Sequence, residues 1–172
     1  MDIDRVLITE DEIRSAVARL GGMISRDYEG LLVSIVCVLK GAVVFMSDLI
    51  REIKVPVEID FVSLSSYGSA MVSSGEVTVH KDLDRDIRGK HVIIVEDIID
   101  TGVTLRFLKE MLLEREPASL KICALLDKPS RRKTELEADY LGIVIEDHFV
   151  IGYGLDFNER GRELPYIAVV GK

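Results

Sequence analysis

The stretch Val92-Ile93-Ile94-Val95-Glu96-Asp97-Ile98-Ile99-Asp100-Thr101-Gly102-Val103-Thr104 holds the residues best placed to do chemistry. Four apolar residues run into two adjacent acids, a third acid follows at Asp100, and Thr101-Gly102-Val103-Thr104 opens a helical pattern. Hydroxyls, a glycine and backbone N–H groups at a helix start make an anion site, most naturally for phosphate. Ionised carboxylates only accept hydrogen bonds, so Glu96 and Asp97 cannot hold that anion. They need donors on the same ligand, or a metal ion. A phosphorylated sugar supplies both parts, with its phosphate on residues 101–104 and its ring hydroxyls on the two acids. The ligand expected is a ribose phosphate, alone or with a divalent ion. The plainer reading is a solvated acidic loop capping the next helix. Three acids beside a phosphate-type turn after a buried strand argue against it.

The elements around this stretch alternate. A continuous apolar run bounded by turn signals suits a strand buried on both faces, and the carboxyl ends of such strands are where open α/β sheets bind ligands. Thr9-Glu10-Asp11-Glu12 is a capping box, followed by Ile13, Val17, Leu20 and Ile24 at helical spacing, with Gly21-Gly22 weakening the middle of that helix. Residues 31–39 read as a buried strand, 42–53 as a helix, 57–64 as the next strand, and 76–83 as a strand returning from a Ser- and Gly-rich stretch over 65–75. Leu105, Leu108 and Leu112 form a helix stripe, and 120–126 is another strand. This alternation predicts an α/β fold with a mostly parallel sheet and right-handed crossovers. The tail, 140–170, has only short apolar runs such as 142–145 and is expected to form a small second lobe over the sheet edge.

Composition excludes several classes. The chain has 172 residues, 48% of them hydrophobic, which suits one domain with an ample core. A net charge of −8 argues against a nucleic-acid or anionic-membrane surface. An anionic substrate then has to be met by local cations, N–H groups and a metal ion. Cys37 and Cys123 lie inside apolar runs and read as buried thiols in a reducing cytoplasm. No signal peptide and no apolar run of membrane-spanning length is expected. His80, His91 and His148 lack metal-ligand spacing and are read as structural.

Val95 to Thr104 resembles the phosphoribosyl pyrophosphate motif of type I phosphoribosyltransferases, and its wording is most similar to the 6-oxopurine branch. The resemblance runs from about Leu39 to Val170. It implies a central, mostly parallel sheet flanked by helices, with a small hood lobe. One domain would span 1–172, with a core over about 30–140 and a hood from the N-terminal segment and about 141–172.

The resemblance also gives roles to residues that are ambiguous by themselves. Lys40-Gly41, after a strand, could be an ordinary turn with a solvated lysine; the family's loop there grips pyrophosphate, often with a strained non-proline cis peptide before the lysine. Ser66-Tyr67 matches a lid that shields the sugar from water, where a flexible hairpin is the bland alternative. Lys128, alone a surface cation, would contact the exocyclic oxygen of a 6-oxopurine. Phe149, alone a core residue, would stack on the base while backbone groups at Val150 read its edge. Asp156 resembles an acid that binds a second magnesium, and Arg162 an arginine that clamps pyrophosphate. Magnesium would sit with Glu96, Asp97 and Asp156. Ser130-Arg131-Arg132-Lys133 reads as a solvated loop or a subunit contact.

The activity implied is transfer of a phosphoribosyl group from phosphoribosyl pyrophosphate to hypoxanthine or guanine, giving IMP or GMP plus pyrophosphate, with Asp100 as general base. Thr101, Gly102, Val103 and Thr104 would hold the 5′-phosphate. The partners implied are these substrates and a second or further copy of the chain, as homodimer or homotetramer, with no nucleic acid and no membrane. Three alternatives differ in class. An RNA-binding regulator of the pyrimidine-biosynthesis type on the same fold would want a basic face. A haloacid dehalogenase-type phosphatase would want aspartates two apart before Gly-Thr, whereas Asp97 and Asp100 are three apart before Thr-Gly. A non-catalytic nucleotide-binding module would bind the product and release no pyrophosphate.

Overall fold

The computed structural model describes residues 2–66 and 76–171. Its elements in chain order are β1 (Ile3–Ile8), α1 (Glu10–Asp27), β2 (Val33–Leu39), α2 (Val43–Glu52), β3 (Val57–Ser66), β4 (Val77–Lys81), β5 (His91–Ile99), α3 (Val103–Leu113), β6 (Ser119–Asp127), β7 (Tyr140–Val144), β8 (Val150–Ile151) and β9 (Ile167–Val170). A single 3-10 turn, Pro129–Arg131, follows β6.

Six strands form one sheet in the order β4-β3-β2-β5-β6-β7. The neighbours from β3 to β7 pair in parallel, and β4 is antiparallel to β3 at the edge. Central strands β2 and β5 are apolar along nearly their whole length because both of their faces are covered. Successive side chains point to opposite faces, so Ile35, Cys37, Ile93 and Val95 join the core under α1 and α2. Val36, Val38, Val92 and Ile94 join the core under α3, where Leu105, Leu108 and Leu112 are buried as their spacing predicts.

The topology dictates where a ligand can bind. From β2 the chain crosses by α2 to β3 on one side; from β5 it crosses by α3 to β6 on the other. Strand order therefore reverses between β2 and β5, and a crevice opens at their carboxyl ends. Their ladder runs from Val33 opposite His91 to Cys37 opposite Val95 and stops there. Leu39 and the acids Glu96 and Asp97 lie just beyond that last pair.

Two local expectations change. Gly21 does not interrupt α1, which continues to Asp27. A Cβ at Gly21 would lie 2.4 Å from Glu52 Cβ, so the glycine lets α1 approach the end of α2. The tail is divided between two sheets. β7 extends the large sheet beside β6, while β8 and β9 pair with β1 in a three-stranded antiparallel sheet.

The capping box at the start of α1 is present in both halves. The Thr9 N–H donates to Glu12 Oε2 at 2.7 Å and the Glu12 N–H to Thr9 Oγ1 at 3.3 Å. Thr9→Ala is expected to cost about 1 kcal/mol, since it removes the acceptor for an otherwise unpaired helix N–H. For a chain of this size that is a fall in Tm of roughly 2–4 °C, readable by calorimetry.

Candidate active site

Glu96 and Asp97 lie on β5 itself. The strand continues past them to Ile99, held on one side by pairing of Glu96 with Ala124, Ile98 with Leu126 and Ile99 with Asp127 of β6. The turn proper is thus Asp100–Gly102, and the two acids project from a rigid strand end. The Asp97 N–H donates to Glu96 Oε1 at 3.0 Å and the Ile98 N–H to Asp97 Oδ1 at 2.7 Å. Burial, then the neighbouring Asp97 carboxyl, raises Glu96 well above the usual carboxylate range. Burial also raises Asp97, while Glu96, the Ile98 N–H and Arg162 work against that rise. Behind them Cys37 is pushed up to about 12, by burial first and then by these two acids. Cys123 is buried and also raised, so neither thiol is primed to react.

Burial of both acids, and for Glu96 the neighbouring Asp97 carboxyl, works against their charged forms in the unliganded fold. Each has a folded pKa above its unfolded value, so the pair favours folding below the ordinary carboxylate range and loses that contribution as pH rises through the raised values. Glu96→Gln removes the repulsion. It is expected to raise the Tm of the unliganded protein at neutral pH while weakening binding of sugar phosphate; a lowered Tm would contradict this reading of the pair.

Two loops from distant parts of the chain meet the acids at this strand end. A Cβ at Gly41 would lie 1.8 Å from Asp97 Oδ2, and one at Gly154 would lie 2.2 Å from the Gly41 carbonyl oxygen. Gly154 also has φ +99°, a conformation that favours glycine. The Asp97 carboxyl therefore lies against the Gly41 backbone, and the Gly41 carbonyl against the Gly154 backbone, with no room for a side chain at either glycine. The peptide bond from Leu39 to Lys40 is cis.

On the outer side of this stack the Arg162 guanidinium donates to the Gly154 carbonyl at 2.7 Å and pairs with Asp156 at 3.0 Å and Glu159 at 3.2 Å. Lys40 Nζ donates to Glu159 Oε2 at 2.8 Å, a bond that lowers the Glu159 pKa. Lys40 and Glu159 are both largely exposed, so this pair opens at little cost when an anion competes for the lysine. Glu159 was not singled out in the sequence; its one signal is its place between Asp156 and Arg162.

Toward α3 the chain turns through Gly102, whose φ of +82° sets the helix start. The Val103 N–H donates to Thr101 Oγ1 at 3.4 Å, and the first turn of α3 offers N–H groups without intrahelical acceptors. These are the N–H groups at which the Thr-Gly-Val-Thr order leads one to expect an anion.

Several further residues differ from their readings taken alone. Lys128 is buried at 7% exposure rather than a surface cation, with Nζ 3.8 Å from Asp147 Oδ1. Phe149 is 54% exposed instead of packing in the core, and meets Phe157 edge to face at 5.5 Å. Val150 is buried on β8. The basic run after Lys128 is not a free loop. Arg131 Nε donates to Asp100 Oδ1 at 3.0 Å, and Arg132 donates to the Asp100 carbonyl at 2.7 Å and to Asp127. No periodicity could have marked these arginines, because their partner is more than 30 residues away. Ser66 is the last residue of β3; Tyr67 lies outside the described residues. Among the described residues no three His, Cys, Asp or Glu side chains converge to hold a metal ion.

A model of the phosphoribosyl transferase domain matches residues 8–158. The hypoxanthine-guanine phosphoribosyltransferase of Bacillus subtilis strain 168 is 49% identical over 169 residues, covering 98% of this chain and 94% of that protein. The hypoxanthine phosphoribosyltransferase of Salmonella typhimurium is 50% identical over 167 residues, covering 96% and 94%. A crystal structure of a hypoxanthine-guanine phosphoribosyltransferase from Bacillus anthracis superimposes with a TM-score of 0.95 at 49% identity, covering 99% of this chain and all of that one.

Proposed function

The chain belongs to the phosphoribosyl transferase family, and on that premise we propose that it is a purine-salvage glycosyltransferase, moving the phosphoribosyl group of phosphoribosyl pyrophosphate onto hypoxanthine or guanine. A purine ring nitrogen bonds to the anomeric carbon as the bond from that carbon to pyrophosphate breaks. The products are IMP or GMP and pyrophosphate. The observation that carries this reading is the stack of Asp97, Gly41 and Gly154, which brings the strand acids, the Lys40 loop and the Arg162 loop to one crevice at the point of strand reversal.

Each side chain has a distinct task. Glu96 and Asp97 accept hydrogen bonds from the ribose hydroxyls, and their charge lies near the positive charge that develops on the sugar. Thr101 to Thr104 hold the 5′-phosphate on hydroxyls and helix N–H groups. Lys40, Gly41 and Arg162 receive pyrophosphate, for which Arg162 has a planar, forked donor set. Asp100 takes the proton that the purine loses. Lys128 donates to the exocyclic oxygen, Phe149 stacks on the ring, and Val150 reads its edge through backbone groups. Ser66, the last residue of β3, is assigned to substrate binding.

Magnesium is the cofactor we propose. The donor set suits it: Glu96 and Asp97 on one side and Asp156 on the other supply one or two carboxylates each. Mg2+ completes its shell with water and substrate oxygens and needs no all-protein cage. When bound it would offset charge on the departing pyrophosphate. The carboxylates that burial and repulsion raise are relieved by a cation or by hydroxyl donors.

We assign one catalytic domain over 1–172, with β1, β8 and β9 as the hood and α1 and β7 packed with the large sheet, a cytoplasmic location, and a homodimer or homotetramer with α2 as a contact. Two buried free thiols support a reducing compartment. Among the described residues no helix is long and apolar enough to cross a membrane. An RNA-binding regulator is not favoured by relatives of this kind or by a net charge of −8.

The test is to mix the protein with magnesium, phosphoribosyl pyrophosphate and each of hypoxanthine, guanine and xanthine, and to follow nucleotide formation by ultraviolet absorbance. Formation of IMP or GMP is expected. Hydrolysis of phosphate monoesters without a base, or nucleotide binding with no pyrophosphate release, would overturn it.

A further inference from the structure

Four charged side chains form a line across the purine end of the crevice. Arg131 Nε holds Asp100 Oδ1 at 3.0 Å, Arg131 Nη1 lies 3.9 Å from Asp147 Oδ2, and Asp147 Oδ1 lies 3.8 Å from Lys128 Nζ. The line thus joins the residue assigned to take the purine proton to the residue assigned to read the purine oxygen, through two residues that have no task in that scheme. We propose that Arg131 is a positioning residue for Asp100, and that Asp147 ties Arg131 to Lys128 so that both ends of the base are met by groups set in one frame. This rests on the reaction proposed above.

The geometry explains why an arginine serves here. Arg131 ends the 3-10 turn Pro129–Arg131, and its N–H donates to the Lys128 carbonyl at 3.1 Å, so the guanidinium springs from the turn that also carries Lys128. The Lys128 N–H in turn donates to the Ile99 carbonyl at 2.9 Å, one residue before Asp100. Arg132 fixes the Asp100 backbone through its carbonyl. With the backbone held and Oδ1 engaged by Nε, the Asp100 carboxylate has one oxygen tied and Oδ2 left to accept a proton. A guanidinium can engage one carboxylate through Nε while presenting Nη1 to another; a lysine ammonium is a point charge without that fork. The facing acids Asp100 and Asp147 keep the guanidinium firmly protonated.

Stability does not account for the arrangement. Asp100, Arg131 and Asp147 each retain between 44% and 52% of their side-chain exposure, and ion pairs so exposed add little to folding. Orientation is different, because a displacement of about 1 Å in a catalytic group can cost about 100-fold in rate.

The experiment is steady-state kinetics of the full chain with hypoxanthine for wild type, Arg131→Ala, Arg131→Lys, Asp147→Asn and the Ala/Asn double variant, with Tm measured for each. Arg131→Ala is expected to lower kcat by roughly 10- to 100-fold. Its KM for phosphoribosyl pyrophosphate should stay within about twofold, because that substrate is bound elsewhere. Arg131→Lys should recover part of kcat. Asp147→Asn should lower kcat less than Arg131→Ala, and the double variant should be no slower than Arg131→Ala, since the two act in one line. A wild-type kcat in Arg131→Ala, or fully additive losses in the double variant, would overturn the inference. Should Arg131→Ala fail to fold, Arg131→Lys and Asp147→Asn decide it: wild-type kcat in both would be contrary. No nucleotide from the wild-type protein overturns the proposed function and this inference with it, whereas equal turnover by wild type and Arg131→Ala overturns the inference alone.

Discussion

Replacing Asp100 by Asn is expected to lower kcat by about 100- to 10,000-fold, the usual contribution of a positioned general base. Asn is nearly isosteric and keeps an acceptor oxygen for Arg131 Nε, so the contact at 3.0 Å can survive. The amide cannot take a proton from the purine. Residues 101–104, proposed for the 5′-phosphate, the acids Glu96 and Asp97 proposed for the ribose diol, and Arg162 are untouched. KM for phosphoribosyl pyrophosphate should therefore stay within about a factor of two while kcat falls, the mark of an interaction made only in the transition state. Equal turnover by Asp100→Asn and wild type would remove Asp100 from the mechanism.

Gly41→Ala is expected to be as damaging through packing. The added Cβ would sit 1.8 Å from Asp97 Oδ2 and 2.8 Å from Asp97 Cγ. Asp97 cannot simply swing aside, because Oδ1 accepts the Ile98 N–H at 2.7 Å. The loop cannot simply retreat either, because its Gly41 carbonyl already lies 2.2 Å from where a Gly154 Cβ would be. Overpacking of this kind costs about 1–3 kcal/mol. For a chain of this size each kcal/mol is roughly 2–4 °C of Tm. Function should suffer more, since both the loop proposed for pyrophosphate and Asp97, proposed for the ribose diol, shift; kcat/KM for phosphoribosyl pyrophosphate should drop by about 100-fold or more. Gly22→Ala is the matching control. A Cβ there meets only Arg26 at 3.8 Å, on a helix where Ala is preferred to Gly. That variant should keep wild-type activity. If Gly41→Ala behaves like Gly22→Ala, the close stack of loops is not a functional requirement.

The residues that were legible in sequence share a physical feature: their signal is local. Strands β2 and β5 show as apolar runs because both faces of a central parallel strand are covered. The Thr9–Glu12 cap shows because both of its halves lie within one helical turn. The acids and the Thr-Gly turn show as a group because one strand end and the helix start after it place them together.

What was not legible depends on contacts between distant parts of the chain. Arg131 and Arg132 read as a solvated basic run, since only folding brings Asp100 against them. Lys128, taken by itself, read as a surface cation because nothing in its neighbours reveals that the end of β6 is covered. Phe149, by itself a core residue, is left exposed just before the short strand β8, on which the next residue, Val150, is the buried one. β7 is a five-residue run with a glycine in its middle, and its pattern could not say which of two sheets it would join. The contact of Gly41 with Asp97 and Gly154 has no sequence pattern at all. It is fixed by the reversal of strand order between β2 and β5, which is a property of the whole sheet.

The most direct measurement is a crystal structure of the protein with IMP bound. The ribose hydroxyls should lie at hydrogen-bonding distance, about 2.6–3.2 Å, from the Glu96 and Asp97 carboxylates, with the 5′-phosphate on the N–H groups of residues 101–104. A nucleotide seated elsewhere, with Glu96 and Asp97 facing solvent and the turn at 101–104 unengaged, would contradict the account.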